Sequence, residues 1–176
     1  MKFITLGQAA QYALAQQQLE EHRRRHFANN HFRKKLYLAG SLRNDTMPEV
    51  RDGITENCNV DMFMDWYAAG PQADDYWKTY WQEQAVSYKE ALTKPNSMNV
   101  FNFDKKHMDQ SDIMVLVAPA GKSAHLELGY FVGQGKTAIY YFPSDEDVRW
   151  DVMLNFATEV VVGEQELYTA IKKYGG

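Results

Sequence analysis

A continuous apolar run from Ile113 to Ala118 constrains the fold of this chain more than any other sequence feature. Asp112 precedes the run and Pro119 follows it, so the run is short and sharply bounded. An uninterrupted apolar run of this length is typical of a strand that is buried on both faces, as strands are in a parallel sheet. We therefore expect a central parallel sheet that is covered by helices.

Shorter apolar runs predict further strands, and helical patterns separate several of them. Strands are expected over residues 36–39, 60–66, 100–103, 112–118, 137–142 and 160–162. Helices are expected over residues 73–92, 123–133 and 164–173, and residues 104–111 are expected to form a polar helix or turn. This alternation predicts an α/β fold with a flavodoxin-like or Rossmann-like, doubly wound parallel sheet.

Residues 1–34 differ from the rest and are predicted to form an N-terminal helical extension, with the domain proper over residues 35–176. Residues 8–25 contain few helix breakers and are rich in alanine, leucine and glutamine. A basic stretch lies at residues 22–26. It is either a patch for nucleic acid or a protein partner, or a solvated helix end, which is the more common case.

Composition argues against several classes of protein. The net charge of −4 gives no overall basic field, so nucleic acid is not an expected partner. A single cysteine, Cys58, fits a reducing compartment, and no apolar run is long enough to span a bilayer. With no signal-peptide pattern at the start, we expect a cytoplasmic protein without a membrane partner. Neither metal-ligand spacing nor a nucleotide-cofactor fingerprint occurs, so no metal or cofactor is expected.

Polar groups follow three of the predicted strands. The loop at residues 40–44 follows the first strand, Asp104 follows the 100–103 strand, and Glu127 comes shortly after the 112–118 strand. Since ligands bind outside the carboxyl ends of parallel strands, these groups are expected to converge on one crevice. Two carboxylates beside an arginine suit glycosyl transfer, in which one carboxylate attacks the sugar and another group assists at the leaving group.

The segment Asp112-Ile-Met, followed by Gly121-Lys-Ser-Ala-His-Leu-Glu127-Leu-Gly-Tyr and by Gly-Gln-Gly-Lys136, resembles the signature of the nucleoside 2-deoxyribosyltransferase family. The wider superfamily includes 2′-deoxynucleoside 5′-monophosphate N-glycosidases and cytidine-monophosphate hydrolases. The resemblance implies that Glu127 is a nucleophile that forms a glycosyl-enzyme intermediate. It also implies that Asp104 contacts the sugar or serves acid–base chemistry, and that Tyr37 orients the nucleophile.

The same resemblance implies a set of substrate contacts. The loop Gly40-Ser41-Leu42-Arg43 is similar to the one with which the monophosphate N-glycosidases hold a 5′-phosphate, and an arginine fork suits phosphate. This similarity favours a 5′-monophosphate slightly over a nucleoside. The chain departs from both branches at Gly121, where the transferases carry aspartate and the N-glycosidases serine. Further candidate contacts lie at Ser123, His125, Asp151 and Met153. The family also implies a homo-oligomer, a dimer or larger, whose subunits share the active site.

Each of these residues also has a purely structural interpretation. Glu127 could be a solvated carboxylate favoured by a helix dipole, Asp104 a helix cap, and Tyr37 a core residue. Trp66 is expected to stack on the base, although aromatic residues in this part of the chain are mostly core on base rates. The expected partner is a small-molecule nucleoside or nucleotide, and either water or a second base accepts the sugar. The alternative is a non-catalytic nucleotide-binding module, such as a sensor, that uses the same crevice.

Overall fold

The computed structural model describes residues 33–176 of the chain. Five strands form one sheet: β1 (Lys35–Ala39), β2 (Asp61–Phe63), β3 (Ile113–Val117), β4 (Thr137–Phe142) and β5 (Glu159–Val162). All neighbouring strands are parallel, and their order across the sheet is β2-β1-β3-β4-β5. This order is that of a flavodoxin-like doubly wound sheet, which confirms the predicted fold class. The predicted N-terminal extension falls on residues 1–34, and all but its last two residues lie outside the described part.

Six α-helices and three short 3-10 helices connect and cover the strands within residues 33–176. The α-helices are α1 (Met47–Asn57), α2 (Ala73–Glu83), α3 (Tyr88–Ala91), α4 (Pro95–Gln110), α5 (Lys122–Gly133) and α6 (Glu164–Gly175). The 3-10 helices cover Asp65–Ala69, Asp145–Asp147 and Val152–Phe156. None of the helices in this part of the chain combines the length and the apolar character that crossing a membrane requires.

The two faces of the sheet carry separate cores because successive strand residues point to opposite sides. On one face, Leu36 and Leu38 of β1 pack with residues of α1 and α6. On the other face, Tyr37 and Ala39 pack with residues of α4 and α5. All five residues of β3 are buried, as its uninterrupted apolar run predicted. The second face matters most here, because it brings Tyr37 under the two helices that carry Asp104 and Glu127.

The predicted strand at residues 100–103 is wrong, because these residues lie inside helix α4. Pro95 stands at the helix start, where its fixed φ suits the first turn and its missing N–H is not needed. Val100, Phe101 and Phe103 are exposed, whereas residues of a central strand would be buried. Asp104 therefore lies within a helix and caps none.

The predicted helix over residues 73–92 is interrupted after Glu83. Ala85 adopts a positive φ of 55°, which a helix cannot continue through. Ser87 then caps α3 by accepting a hydrogen bond from the backbone N–H of Glu90. Helix α5 begins at Lys122 with Gly121 in the cap position, so Ser123 lies inside the helix.

Candidate active site

A cavity of about 590 Å³ opens at the carboxyl end of β1, beside the point where the strand order reverses between β1 and β3. Its size is that of a small-molecule pocket, and its place is where open α/β sheets bind ligands. Thirteen residues line it: Tyr37, Leu42, Asp65, Trp66, Ala69, Ala73, Asp74, Asn99, Val100, Phe103, Asp104, Ser123 and Glu127. Six of them were predicted as site residues from the sequence.

Glu127 reaches the cavity from the second turn of α5, the helix that follows β3. Ala124, Leu128 and Phe131 form the buried stripe of α5 against the sheet, and this stripe fixes how the helix is rotated. Burial raises the pKa of Glu127 to about 7, and the nearby charge of Asp104 adds to the rise. A carboxyl with such a pKa is poised to change its protonation near neutral pH.

Asp104 lines the same cavity from the third turn of α4. Burial raises its pKa to about 6. The two carboxyls therefore titrate as an interacting pair in the neighbourhood of pH 6 to 7, and at the middle of that range they hold about one proton between them. Because the pKa of Glu127 is the higher of the two, that proton lies mainly on Glu127. Glu127 can therefore act as a nucleophile once this proton has passed to Asp104 or to solvent.

Tyr37 forms part of the cavity floor, and only 1% of its surface is exposed. Its ring stacks on Phe63 of β2, with centroids 5.4 Å apart and planes inclined by 28°. Burial raises the pKa of its hydroxyl far above the ordinary value, and the charges of Glu127 and Asp104 raise it further. The hydroxyl consequently stays protonated and can donate a hydrogen bond to a carboxylate at this site.

Trp66 lines the cavity from the 3-10 helix that follows β2. Its indole Nε1 donates a hydrogen bond of 2.8 Å to the backbone carbonyl of Leu38 in β1. That bond satisfies the polar edge of the ring and holds its orientation beside the end of β1. The tryptophan is thereby placed as a rigid apolar wall, which suits the stacking role predicted for it.

The loop predicted to hold phosphate reaches the cavity only through Leu42. Arg43 pairs with Asp75 instead, with 2.8 Å between Nη2 and Oδ2, and its side chain is 55% exposed. Ser41 accepts a hydrogen bond from the backbone N–H of Arg43 at 3.2 Å. Gly40 faces Met47 of α1, so closely that an added Cβ would lie 2.5 Å from its sulfur. Packing against Met47 therefore explains why position 40 is a glycine.

The remaining predicted contacts divide between two places. Ser123 lines the main cavity, whereas His125 and Asp151 line a second cavity of about 190 Å³ at the end of β4. His125 Nδ1 lies 2.7 Å from the carbonyl of Gly121, and its Nε2 lies 3.2 Å from the hydroxyl of Tyr140. A carbonyl only accepts, so Nδ1 carries a proton and donates to Gly121. Met153 lines neither cavity and is exposed.

Sequence reasoning missed several residues of the cavity wall, among them Asp65, Asp74 and Asn99. Asp65 and Asp74 lie in the connection between β2 and α4, and Asn99 lies in α4, whose first half was not predicted as a helix. Which of these side chains turn toward the cavity depends on how the elements pack together. The adjacency of Asp65 to Trp66 is the one signal that could have pointed to it. Within residues 33–176, no group of three or more histidine, cysteine or acidic side chains is arranged to hold a metal ion.

Comparisons with known proteins identify the fold. No family model matches the chain, and no curated protein matches its sequence. A solved 2-deoxyribosyltransferase from Bacillus psychrosaccharolyticus superposes with a TM-score of 0.54 at 15% identity, covering 76% of this chain and 90% of the other. A conserved protein from Enterococcus faecalis V583 gives a TM-score of 0.54 at 14% identity, covering 80% and 98%.

A CMP N-glycosidase, BcmB, from Clostridium botulinum matches at 13% identity over 80% of this chain and 99% of its own. Its TM-score of 0.40 is too low to support a structural inference. The two stronger matches show that this chain has the fold of the 2-deoxyribosyltransferase. At such identities a shared fold does not by itself assign an activity, which has to be argued from the site.

Proposed function

We propose that this protein cleaves the N-glycosidic bond of a nucleoside or a nucleoside 5′-monophosphate, with Glu127 as the attacking carboxylate. The observation that carries the proposal is the placement of Glu127 and Asp104 in one ligand-sized cavity, where each has a raised pKa. Glycosyl transfer uses two carboxyl groups in different protonation states. The fold shared with a 2-deoxyribosyltransferase supports the same reading.

In the first step, the carboxylate of Glu127 attacks C1′ of the sugar. A bond forms between C1′ and a Glu127 oxygen, the C1′–N bond breaks, and its electron pair passes to the base nitrogen. A proton, supplied by Asp104 or by solvent, completes the departing base. In the second step, water or another base attacks C1′, the bond between C1′ and Glu127 breaks, and the proton that the acceptor loses passes to Asp104 or to solvent. Hydrolysis and base exchange thus share one intermediate and differ only in the acceptor.

The other cavity residues support this chemistry. The protonated Tyr37 hydroxyl would donate to Glu127 and hold its orientation, and Asp104 would contact the sugar when it does not manage the leaving-group proton. Trp66 would stack on the base, since every nucleobase offers an aromatic face. Leu42 and Ser123 complete the wall around the sugar. The reaction needs no metal or cofactor.

A homo-oligomer with a shared active site belongs to the same proposal. Large apolar side chains are exposed in the segment between β4 and β5, with Trp150 97% and Val152 80% exposed. Apolar patches of this kind mark interaction surfaces. Asp151 and Met153 in this segment would then approach the site of a neighbouring subunit. We place the activity in cytoplasmic nucleotide salvage.

Base release tests the proposal directly. The protein is incubated with nucleosides and their 5′-monophosphates, and free base is measured by chromatography. We expect release from at least one substrate, a loss of three orders of magnitude or more in Glu127→Ala, and none in the control Glu49→Ala on the exposed face of α1. If ligands bind without base release, and Glu127→Ala binds equally well, the chain is a nucleotide-binding sensor instead.

A further inference from the structure

The cavity wall is strongly acidic. Four carboxyl groups line it, from Asp65, Asp74, Asp104 and Glu127. Among the residues that the structure describes, no lysine, arginine or histidine lines this cavity. Arg43 and Lys105, each adjacent in sequence to a cavity residue, are held by other carboxylates, Asp75 at 2.8 Å and Asp109 at 2.6 Å. Lys122, next to Ser123 in sequence, is exposed and does not line the cavity. The cavity lining itself therefore carries negative charge without a cation to offset it.

Asp65 and Asp74 contribute to this charge without an assigned part in bond cleavage. Asp65 opens the 3-10 helix beside Trp66, and Asp74 lies in the first turn of α2. Neither side chain has a hydrogen-bond or ion-pair partner within residues 33–176. Both residues are exposed at the cavity mouth. Their charges are thus available to a substrate that enters.

We infer that Asp65 and Asp74 make the cavity select unphosphorylated nucleosides over their 5′-monophosphates. The inference rests on the proposed function and narrows its substrate class. A 5′-monophosphate brings nearly two negative charges into the cavity, where they meet the aspartates at short range. The N-terminus of α5, next to Ser123, contributes roughly half a positive charge. This charge is smaller in magnitude than the negative charge of either aspartate. This departs from the phosphate role that the sequence suggested for Arg43.

The size of the effect follows from the dimensions of the cavity. A cavity of about 590 Å³ holds a bound phosphate close to its wall. At such separations, repulsion between a phosphate dianion and one aspartate should lower the affinity for the monophosphate about tenfold. Two aspartates together give roughly a hundredfold preference for the nucleoside at low salt. Because the groups are solvated, salt screens the repulsion, and the preference decreases as ionic strength rises.

The test compares kcat/KM for nucleosides and for the 5′-monophosphates of the same bases and sugars, at low and at high salt. We expect the ratio to favour the nucleoside and to fall with salt. The double variant Asp65→Asn/Asp74→Asn should lower the ratio roughly a hundredfold at low salt. The control Asp145→Asn removes one charge outside the cavity and should leave the ratio unchanged.

Three results separate the possible failures. A monophosphate that reacts as well as its nucleoside, above all one whose advantage Arg43→Ala abolishes, would overturn the inference and leave the proposed function standing. A nucleoside preference that neither salt nor the double variant changes would also overturn it, because the aspartates would not be its source. Absence of base release from both substrate classes would remove the proposed function and this inference with it.

Discussion

Glu127 and Asp104 illustrate how position alone changes the chemistry of a residue. Either side chain on a helix surface would be almost fully ionised at pH 7. In the cavity, burial is the largest cause that raises both pKa values, to about 7 and about 6. The negative charge of Asp104 adds to the rise at Glu127. The neighbouring carboxylate is therefore part of what sets the protonation of the proposed nucleophile.

This coupling predicts the effect of Asp104→Asn on the titration of Glu127. The substitution removes the charge that raises the pKa of Glu127, so that pKa should fall below about 7. Burial remains, so it should stay above the ordinary value of 4.5. Carbon NMR of labelled glutamate side chains measures the change without requiring turnover. Asp145→Asn, in a 3-10 helix outside the cavity, is the control. A pKa that does not move would contradict the coupling.

The buried carboxyl also has a consequence for stability. The pKa of Glu127 is about 7 in the folded state and near 4.5 in the unfolded state, so the folded state binds this proton more tightly. The resulting stability is fully present below pH 4.5 and is lost as the pH rises through 7. Glu127→Gln cannot ionise and avoids this loss. We compare the free energy of unfolding of Glu127→Gln with that of the wild type at two pH values. The difference in favour of the variant should be about 3 kcal/mol larger at pH 8 than at pH 4.

Urea unfolding at the two pH values measures this difference, with Glu49→Gln on the exposed face of α1 as the control. An equal effect of Glu127→Gln at pH 4 and pH 8 would show that the Glu127 carboxyl titrates normally in the folded protein. Such a gain of stability on removal of a functional group is a common mark of an active site.

At the scale of elements, burial determined what the sequence could predict. Strand β4 was predicted to the residue, and β3 and α5 were predicted to within one residue at each end. The two strands were predictable because a strand that is covered on both faces has a continuous apolar run. The four-residue run at 100–103 misled, since a short apolar run does not separate a strand from a helix. Its side chains line the cavity and an outer groove of α4 instead of a sheet.

Asp104 nevertheless lies in the predicted crevice, and the topology explains why. A helix that leads into a parallel strand starts near the carboxyl edge of the sheet and returns to the amino edge. Residues in the first half of α4 and just beyond can therefore reach the site as well as a strand end can. Asp74 lies at the start of a helix that the sequence predicted, but which side of that helix faces the cavity depends on tertiary packing, and no helix was predicted around Asp65. The direction of Arg43 depends on Asp75, which is distant in sequence.

Among residues 33–176, the connection between β4 and β5 carries an exposed apolar segment. Trp150, Val152 and Phe156 lie in the connection between β4 and β5. We expect the protein to be a dimer or larger at micromolar concentration, and Trp150→Asp/Val152→Asp to shift it toward the monomer. Size-exclusion chromatography with light scattering measures the mass. If the wild type is a monomer, or if the double variant has the same mass as the wild type, this segment does not form a subunit interface.

Covalent catalysis by Glu127 is tested most directly by mass spectrometry of the protein after rapid acid quench during turnover. The expected result is a peptide containing Glu127 that is heavier by the mass of the sugar, formed with substrate and absent without it. The adduct should disappear when water or an acceptor base is allowed to complete the reaction. Base release with no adduct on this peptide, together with turnover retained in Glu127→Ala, would contradict the mechanism.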